Sequence, residues 1–192
     1  MTVATTNPAF ESQAAFRAAM DAMARPGEIK TLHGPAAPAP LAPATAALVR
    51  HLADYETPIW LDEQLSIPAV KDWIRFQTGA PITEDKSTAA FALVAEPLRM
   101  PDLTQFALGT EEYPDRSTTV IVQVESFRGA PIVITGPGIK DRRSFAAEPL
   151  PNDFIARLSA NRELFPRGVD VMLVAGGEII GLPRSVRIAK EN

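Results

Sequence analysis

A seven-residue apolar run in the middle of the chain limits the folds that this sequence can adopt. Residues 89–95 read AAFALVA, with no polar side chain on either face of the strand that they would form. Strands of this kind are typical of sheets packed between two layers. Residues 118–125 (TTVIVQVE) are β-branched and partly alternating, which is the clearest strand pattern in the chain. We therefore predict a layered α/β protein with residues 118–125 at the centre of its sheet.

The first helix is predicted between Asn7 and a Pro26-Gly27 turn. Asn7 is a suitable helix cap, whereas Pro26-Gly27 ends a helix because proline cannot extend it and glycine tolerates a left-handed turn. Phe16, Met20 and Met23 fall at i, i+4 and i+7 within this segment. This spacing predicts an amphipathic helix with one apolar stripe.

The remaining elements alternate in the first half of the chain and meet as strands in the second half. Further helices are predicted over residues 45–55, 67–77 and 152–161, and short strands over residues 28–32, 58–61, 170–175, 179–182 and 186–189. We expect residues 130–135 (APIVIT) to form a hairpin with residues 118–125, and the last three strands to form an antiparallel meander. This order predicts a three-layer α-β-α sandwich with a mixed sheet, built as a single domain over residues 1–192.

The composition excludes several kinds of chemistry. The chain has no cysteine, which removes thiol nucleophiles, disulfides, thiolate zinc sites and iron–sulfur clusters. Its two histidines, His33 and His51, are too few for a histidine-based metal centre within one chain. The net charge of −4 provides no global basic field, so nucleic acid is not an expected partner.

The apolar residues are distributed over many short segments. No run of about 18 apolar residues occurs, so no membrane span is predicted. The first ten residues (MTVATTNPAF) lack the charged and apolar regions of a secretory signal. We therefore expect a cytoplasmic protein.

One glycine-rich loop is a candidate anion-binding site. Gly136 and Gly138 precede the basic pair Arg142 and Arg143. Glycines beside basic residues can form a backbone nest for phosphate, with arginine forking onto its oxygens. Pro137 removes one amide donor, however, and neither the Walker pattern nor the dinucleotide-binding pattern is present. The alternative interpretation is a turn that leaves a strand, and both interpretations stay open.

Other polar residues give weaker signals. Arg184 and Arg187 are separated by an odd step, so alternation along a strand would place them on opposite faces. We interpret them as solvated or interface charges. Asp54 and Asp62 flank a predicted strand at its two ends, and His51 has no second group at a suitable spacing. The residues alone therefore predict no catalytic residue, no cofactor-binding residue and no metal ligand.

Seven short strings occur in an order that resembles a bacterial family. They are FRAAMDAMARPG (16–27), LADYETPIWL (52–61), RFQTGAP (75–81), GTEEYPDRSTT (109–119), GPGI (136–139), FPRGVD (165–170) and LPRSVRI (182–188). With these strings in register, the chain resembles the PhnH family, a subunit of the carbon–phosphorus lyase system for phosphonate use, over residues 10–188.

The resemblance implies a fold like that of pyridoxal-phosphate-dependent transferases without their cofactor. None of the five lysines lies in a recognisable Schiff-base motif. Only Lys30, inside the first predicted strand, is a position to check for such a role.

The resemblance also implies a function in phosphonate catabolism. It places the chain with the partners PhnG, PhnI and PhnL in forming alpha-D-ribose 1-methylphosphonate 5-triphosphate from ATP and methylphosphonate, with loss of adenine. PhnJ later cleaves the carbon–phosphorus bond. One hypothesis is an accessory subunit that is a homodimer when isolated and docks onto these partners. The alternative is a ligand-binding or catalytic subunit that holds nucleotide or phosphonate near Gly136 to Arg143.

Overall fold

A seven-stranded mixed sheet lies at the centre of the protein. The computed structural model describes residues 8–189, with side chains from residue 12 onward. In this part of the chain the α-helices are α1 (Pro8–Ala24), α2 (Pro43–Leu52), α3 (Pro68–Thr78) and α4 (Phe154–Glu163). The strands are β1 (Lys30–Thr31), β2 (Ile59–Leu61), β3 (Ile82–Thr83), β4 (Phe91–Val94), β5 (Thr119–Gln123), β6 (Ile132–Thr135), β7 (Arg143–Phe145), β8 (Asp170–Ala175), β9 (Glu178–Leu182) and β10 (Arg187–Ile188). Asn7, the predicted cap of α1, lies outside the described residues.

The main sheet has the strand order β1-β9-β8-β5-β4-β2-β3. β3, β2, β4, β5 and β8 run parallel to one another, and β9 runs antiparallel to both of its neighbours. β5 occupies the central position, and its residues Val120, Ile121 and Val122 have no exposed surface. The predictions of a mixed sheet and of this central strand are confirmed.

The predicted hairpin between residues 118–125 and 130–135 is wrong. β5 pairs with β4 on one side and with β8 on the other, so neither of its edges is available to β6. β6 lies instead between β7 and β10 in a separate three-stranded antiparallel sheet. The predicted terminal meander is correct only for β8 and β9, because β10 joins this second sheet.

Different elements cover the two faces of the main sheet. α1, α2 and α3 pack on one face, against sheet residues that include Ile121 and Met172. α4 and the three-stranded sheet cover the other face, against Val120 and Val122. Since successive residues of a strand point to opposite faces, β5 contributes to both apolar cores. The second outer layer is therefore a helix with a small sheet, whereas the predicted α-β-α sandwich has helices alone.

α1 packs on the sheet mainly through small side chains, and of its predicted apolar stripe only Met23 packs against the core. The buried residues of the helix include Ala15, Ala19 and Ala22. Phe16 and Met20 of the predicted stripe are 53% and 54% exposed. The reason is the close approach of the helix to β9, where a Cβ atom added at Gly181 would lie 2.5 Å from the carbonyl oxygen of Ala22. Alanines fit this narrow gap, so the large side chains point away from the sheet.

Candidate functional site

Arg184 and Asp170 form the most enclosed ion pair in the described part of the chain, with side chains 13% and 21% exposed. Asp170 is the first residue of β8, and Arg184 follows β9 by two positions. Nη2 of Arg184 lies 2.6 Å from Oδ2 of Asp170, and Nε lies 3.1 Å from Oδ1. The main-chain N–H of Arg184 also donates to Oδ1 at 2.8 Å. This two-pronged contact fixes the guanidinium in one orientation.

The same guanidinium holds the loop that precedes β5. Nη1 donates to the carbonyl oxygen of Pro114 at 2.6 Å, and Nη2 donates to the hydroxyl of Ser117. Three of the seven strings that carry the family resemblance therefore meet at one guanidinium, namely those at residues 109–119, 165–170 and 182–188. All three of its nitrogens are engaged by the protein. The arrangement stabilises the fold and uses four of the five N–H donors of the guanidinium.

The interpretation of Arg184 as a solvated or interface charge is wrong. The alternation argument compared it only with Arg187, which lies exposed in β10 and does not join the cluster. The contact between Arg184 and Asp170 could have been predicted from the register of the β8–β9 hairpin. Val171 pairs with Leu182, so Asp170 comes opposite the residue that precedes Arg184. A hairpin centred on the Gly176-Gly177 turn would have predicted this contact.

The loop with Gly136 and Gly138 packs against the chain. The N–H of Ile139 donates to the carbonyl oxygen of Gly136 at 3.1 Å, which closes a turn directly after β6. Gly138 has a φ of +81°, and a Cβ atom added there would lie 2.1 Å from the carbonyl oxygen of Ala24. This glycine is required by the close contact between the turn and the end of α1. The geometry agrees with the alternative interpretation of a turn that leaves a strand.

The two arginines that follow this loop have different surroundings. Nη1 of Arg143, in β7, lies 2.8 Å from Oε1 of Glu28 and donates to the carbonyl oxygen of Pro26 at 3.3 Å. Arg142 is exposed, and within residues 8–189 it makes no hydrogen bond or ion pair. The structure therefore leaves one of the two predicted anion-binding arginines available to a ligand. Anion binding by this loop stays a prediction.

Glu28 receives cations from two directions. Nζ of Lys30 donates to Oε2 of Glu28 at 2.7 Å, while Arg143 contacts the other carboxylate oxygen. The hydrogen bond from Lys30, with the charges of Arg143, Lys30 and Arg25, lowers the pKa of Glu28 below its ordinary value. Lys30, the lysine singled out for a Schiff-base check, is thus engaged in an ion pair.

The acidic residues around β2 serve local structure. Asp62 follows β2, is buried, and accepts main-chain hydrogen bonds at 2.7 to 3.0 Å. The donors are the N–H groups of Leu65, Ala95 and Glu96. Asp54, before β2, accepts from the hydroxyl of Thr57 at 2.7 Å. That bond and one from the N–H of Glu56 lower the pKa of Asp54. The two carboxylates lie at opposite ends of β2 and form no shared site.

A cleft of about 390 Å³ between α1, α2 and the segment after β1 brings both histidines together with an arginine. His33, Arg50 and His51 line it, over a floor that includes the buried side chains of Ala15 and Leu32. Sequence reasoning considered His51 beside Arg50 on one helix but did not connect them with His33, which the proline-rich residues 34–43 separate from that helix. Arg50 and His51 also occupy the last turn of α2, where positive charge interacts favourably with the helix dipole. The cleft has the chemistry to hold a small anion with an apolar part.

Residues 8–189 contain neither a helix suited to cross a membrane nor a cluster of metal-binding side chains. None of the helices there has the length and apolar character needed to cross a membrane. In the same part of the chain no group of three or more histidine, aspartate or glutamate side chains could hold a metal ion.

The geometry defines a mixed α/β protein whose enclosed charged groups are bonded to one another. The family model described as bacterial phosphonate metabolism protein (PhnH) matches residues 3–189. The chain belongs to the PhnH family.

Two curated proteins are similar to this chain. Over 190 residues it is 44% identical to a Rhizobium meliloti (strain 1021) protein, the alpha-D-ribose 1-methylphosphonate 5-triphosphate synthase subunit PhnH, covering 98% of this chain and 95% of that protein. Over 82 residues it is 34% identical to a putative C-P lyase subunit protein, HtxG, of Stutzerimonas stutzeri, covering 42% of each chain.

Proposed function

We propose that this chain is an accessory subunit of a carbon–phosphorus lyase complex, supporting the formation of alpha-D-ribose 1-methylphosphonate 5-triphosphate. The observation that carries this proposal is the 44% identity, over 98% of the chain, to a named subunit of that synthase. Similarity along the whole length supports an equivalent position in a similar assembly.

The contacts of the charged side chains support a role without catalysis by this chain alone. Arg184 is engaged with Asp170, Pro114 and Ser117. Arg143 is engaged with Glu28. General acid–base or nucleophilic catalysis needs groups that reach a substrate, and these enclosed groups bind segments of their own chain.

Reconstitution with partner subunits tests the proposal. The chain is co-expressed with the other synthase subunits, and adenine release from ATP and methylphosphonate is measured with and without it. We expect no turnover by the chain alone and a loss of turnover when it is omitted from the set. Turnover by the chain alone, or full turnover in its absence, would contradict an accessory role.

A second candidate function is the binding of nucleotide or phosphonate by this chain. It is favoured by one observation, the convergence of His33, Arg50 and His51 on one cleft. The glycine loop with Arg142 is the other place to test. Thermal melting with ATP or with methylphosphonate separates the two: a shift lost in Arg50→Ala assigns the cleft, and one lost in Arg142→Ala assigns the loop. Arg75→Ala, an exposed position of α3, is the matched control. The accessory proposal expects no shift with either compound.

We further propose that the isolated chain is a homodimer and folds as one cooperative domain. The two apolar cores share the strands of one sheet, which supports a single unfolding transition. Two resolved transitions in urea would contradict the single cooperative domain.

Because the proposed product derives from ATP, we place the protein in the cytoplasm, and fractionation of the native host tests this.

We infer that the fold is related to that of pyridoxal-phosphate-dependent transferases but does not bind their cofactor. The parallel block of strands flanked by helices supports this relation. The ion pair of Lys30 with Glu28 leaves that lysine engaged. Added pyridoxal phosphate should give no saturable absorbance that withstands dialysis; a stable adduct would contradict the inference.

A further inference from the structure

A cleft of about 430 Å³ lies between the second half of α4 and the strand β10. Ser159, Arg162 and Glu163 line it from the helix, at positions i, i+3 and i+4 of one face. Arg187 and Ile188 line it from β10, which is an edge strand of the small sheet. Two positive side chains and one negative side chain therefore border the same solvent-accessible space.

The three charged side chains of this cleft have no hydrogen-bonding partner within residues 8–189. Arg162, Glu163 and Arg187 make no side-chain hydrogen bond and no ion pair with this part of the chain. Arg143 and Arg184, by contrast, are each bonded to a carboxylate of the protein. A ligand in the cleft therefore gains charged contacts without displacing an ion pair of the fold.

The ring of Phe165 holds the side chain of Arg162 in place. The central carbon of the guanidinium lies 4.7 Å from the ring centroid, which is a cation–π distance. Nε is buried without a hydrogen-bond partner, whereas the two terminal nitrogens are neither buried nor bonded in the described part of the chain. Since a guanidinium forks onto an oxoanion through parallel N–H groups, the stacking fixes Arg162 and leaves its outer donors for a ligand.

We propose that this cleft binds a small zwitterionic phosphonate, with the phosphonate group on Arg162 and Arg187 and an ammonium group on Glu163. The proposal rests on the second candidate function above, the binding of phosphonate by this chain. It gives that function a ligand class and a site on residues that belong neither to the histidine cleft nor to the glycine loop.

The charges of the cleft favour this class over simpler ligands. A doubly ionised phosphonate that carries one ammonium group matches two guanidinium groups and one carboxylate. An alkylphosphonate places a dianion beside Glu163 with no cation between them, and an amino acid offers one negative charge to two arginines. Charges that match group by group give specificity. Ile188, which packs partly against the core, gives the carbon chain of the ligand an apolar contact.

Isothermal titration calorimetry of the full chain tests the site at mildly alkaline pH, where the phosphonate is doubly ionised. Aminoethylphosphonate is the probe; ethylphosphonate lacks its ammonium group, and β-alanine has a carboxylate in place of its phosphonate. We expect aminoethylphosphonate to bind most tightly of the three.

Removing either arginine should weaken the binding of aminoethylphosphonate. Arg187→Ala should weaken it about tenfold, as expected for one charge-assisted contact. Arg162→Lys keeps the charge but loses the planar fork and should weaken it several-fold. Arg128→Ala removes an exposed arginine elsewhere and is the matched control, with no expected effect. Thermal melting confirms that each variant is folded.

Glu163→Gln gives the sharpest result because its effect depends on the ligand. It should weaken the binding of aminoethylphosphonate and tighten that of ethylphosphonate, so the preference for the zwitterion is lost. Glu111→Gln controls for the change in net charge. A preference that persists in Glu163→Gln, or wild-type protein that binds ethylphosphonate more tightly, overturns the proposal.

The remaining outcomes separate this site from the function on which it rests. Binding that survives in Arg162→Lys and Arg187→Ala but is lost in Arg50→Ala or Arg142→Ala overturns this site and keeps phosphonate binding by the chain. No binding of any phosphonate overturns both. The accessory role is measured independently by the reconstitution described above.

Discussion

Arg184 and Arg143 both connect segments that are far apart in the sequence, but they differ in exposure and in the number of groups that they bind. Arg184 is 13% exposed and contacts Asp170 through two nitrogens, with further bonds to a carbonyl and a hydroxyl. Arg143 is 28% exposed and contacts Glu28 and one carbonyl. The first connects strands of the main sheet to a loop; the second connects the small sheet to the turn after α1.

The difference shows that burial and the number of partners decide how much an arginine contributes to the stability of the fold. An enclosed ion pair with most of its donors used is costly to break, because the remaining partner is left desolvated without compensation. A partly exposed pair gains less, since water replaces a lost partner. Both arginines are bonded to segments of their own chain. Arg184 also lines a surface pocket of about 340 Å³, with Asp170 and Pro114 beside it.

The largest effect is expected from Arg184→Ala. The variant leaves the Asp170 carboxylate and the Pro114 carbonyl without their donor, and we expect a loss of about 3 kcal/mol in the free energy of unfolding. Urea denaturation measures it. Arg184→Lys keeps the charge but not the planar fork, so it should recover only part of the loss. A loss below about 1 kcal/mol would show that this pair behaves like an exposed one.

Arg143→Ala should have a smaller effect. Its contacts with Glu28 and Pro26 are partly exposed, so the expected loss is roughly a third of that for Arg184→Ala. Arg75→Ala removes an exposed ion pair with Asp72 on α3 and provides the baseline. If Arg143→Ala equals Arg184→Ala in the same urea titration, the comparison between the two sites fails.

The pH dependence of stability isolates the Glu28 contacts. The pKa of Glu28 is lowered in the folded protein, first by the hydrogen bond from Lys30. The folded state therefore binds this proton more weakly than the unfolded state does, so the stabilisation is complete above the ordinary pKa of 4.5. It is lost as the pH falls through the lowered pKa.

Thermal melting checks this pH dependence. The midpoints of the wild type and of Glu28→Gln are measured from neutral to acid pH. The wild type should be the more stable at neutral pH, and the two midpoints should converge at acid pH. Glu111→Gln, in an exposed loop, controls for the loss of one negative charge. If the difference between the two midpoints stays constant down to acid pH, the charge of the Glu28 carboxylate is not the cause of that difference.

The sequence predicted the elements whose environment is uniform. β5 is covered on both faces, so its apolar run and central position could be predicted. The partner of β6 could not, because pairing depends on which strand edges remain open after β4 and β8 have joined β5. The apolar period of α1 located the helix but not its packing face. That face depends on Gly181, which lies far along the chain.

The candidate site, like the fold, could be predicted from the sequence only in part. The family resemblance located the strings but not how they meet. The contact of Arg184 with Asp170 follows from the register of a hairpin, whereas its bonds to Pro114 and Ser117 depend on the path of a loop. The cleft with His33, Arg50 and His51 depends on how α2 packs beside α1, which no local pattern encodes.

The smallest effect on stability is expected from Arg142→Ala, and this makes it a useful test of ligand binding. Arg142 is exposed and next to Arg143 in the chain, so the two positions differ chiefly in their contacts. We expect the free energy of unfolding of Arg142→Ala to lie within about 0.5 kcal/mol of the wild type, as for other exposed positions without partners. Urea denaturation beside Arg143→Ala measures the difference. A loss above about 1 kcal/mol would mean that Arg142 already has a partner in the protein, and it would then be no more available to an anion than Arg143 is. An unchanged stability would keep Arg142 as the one arginine of the glycine loop whose removal can report on a ligand without disturbing the fold.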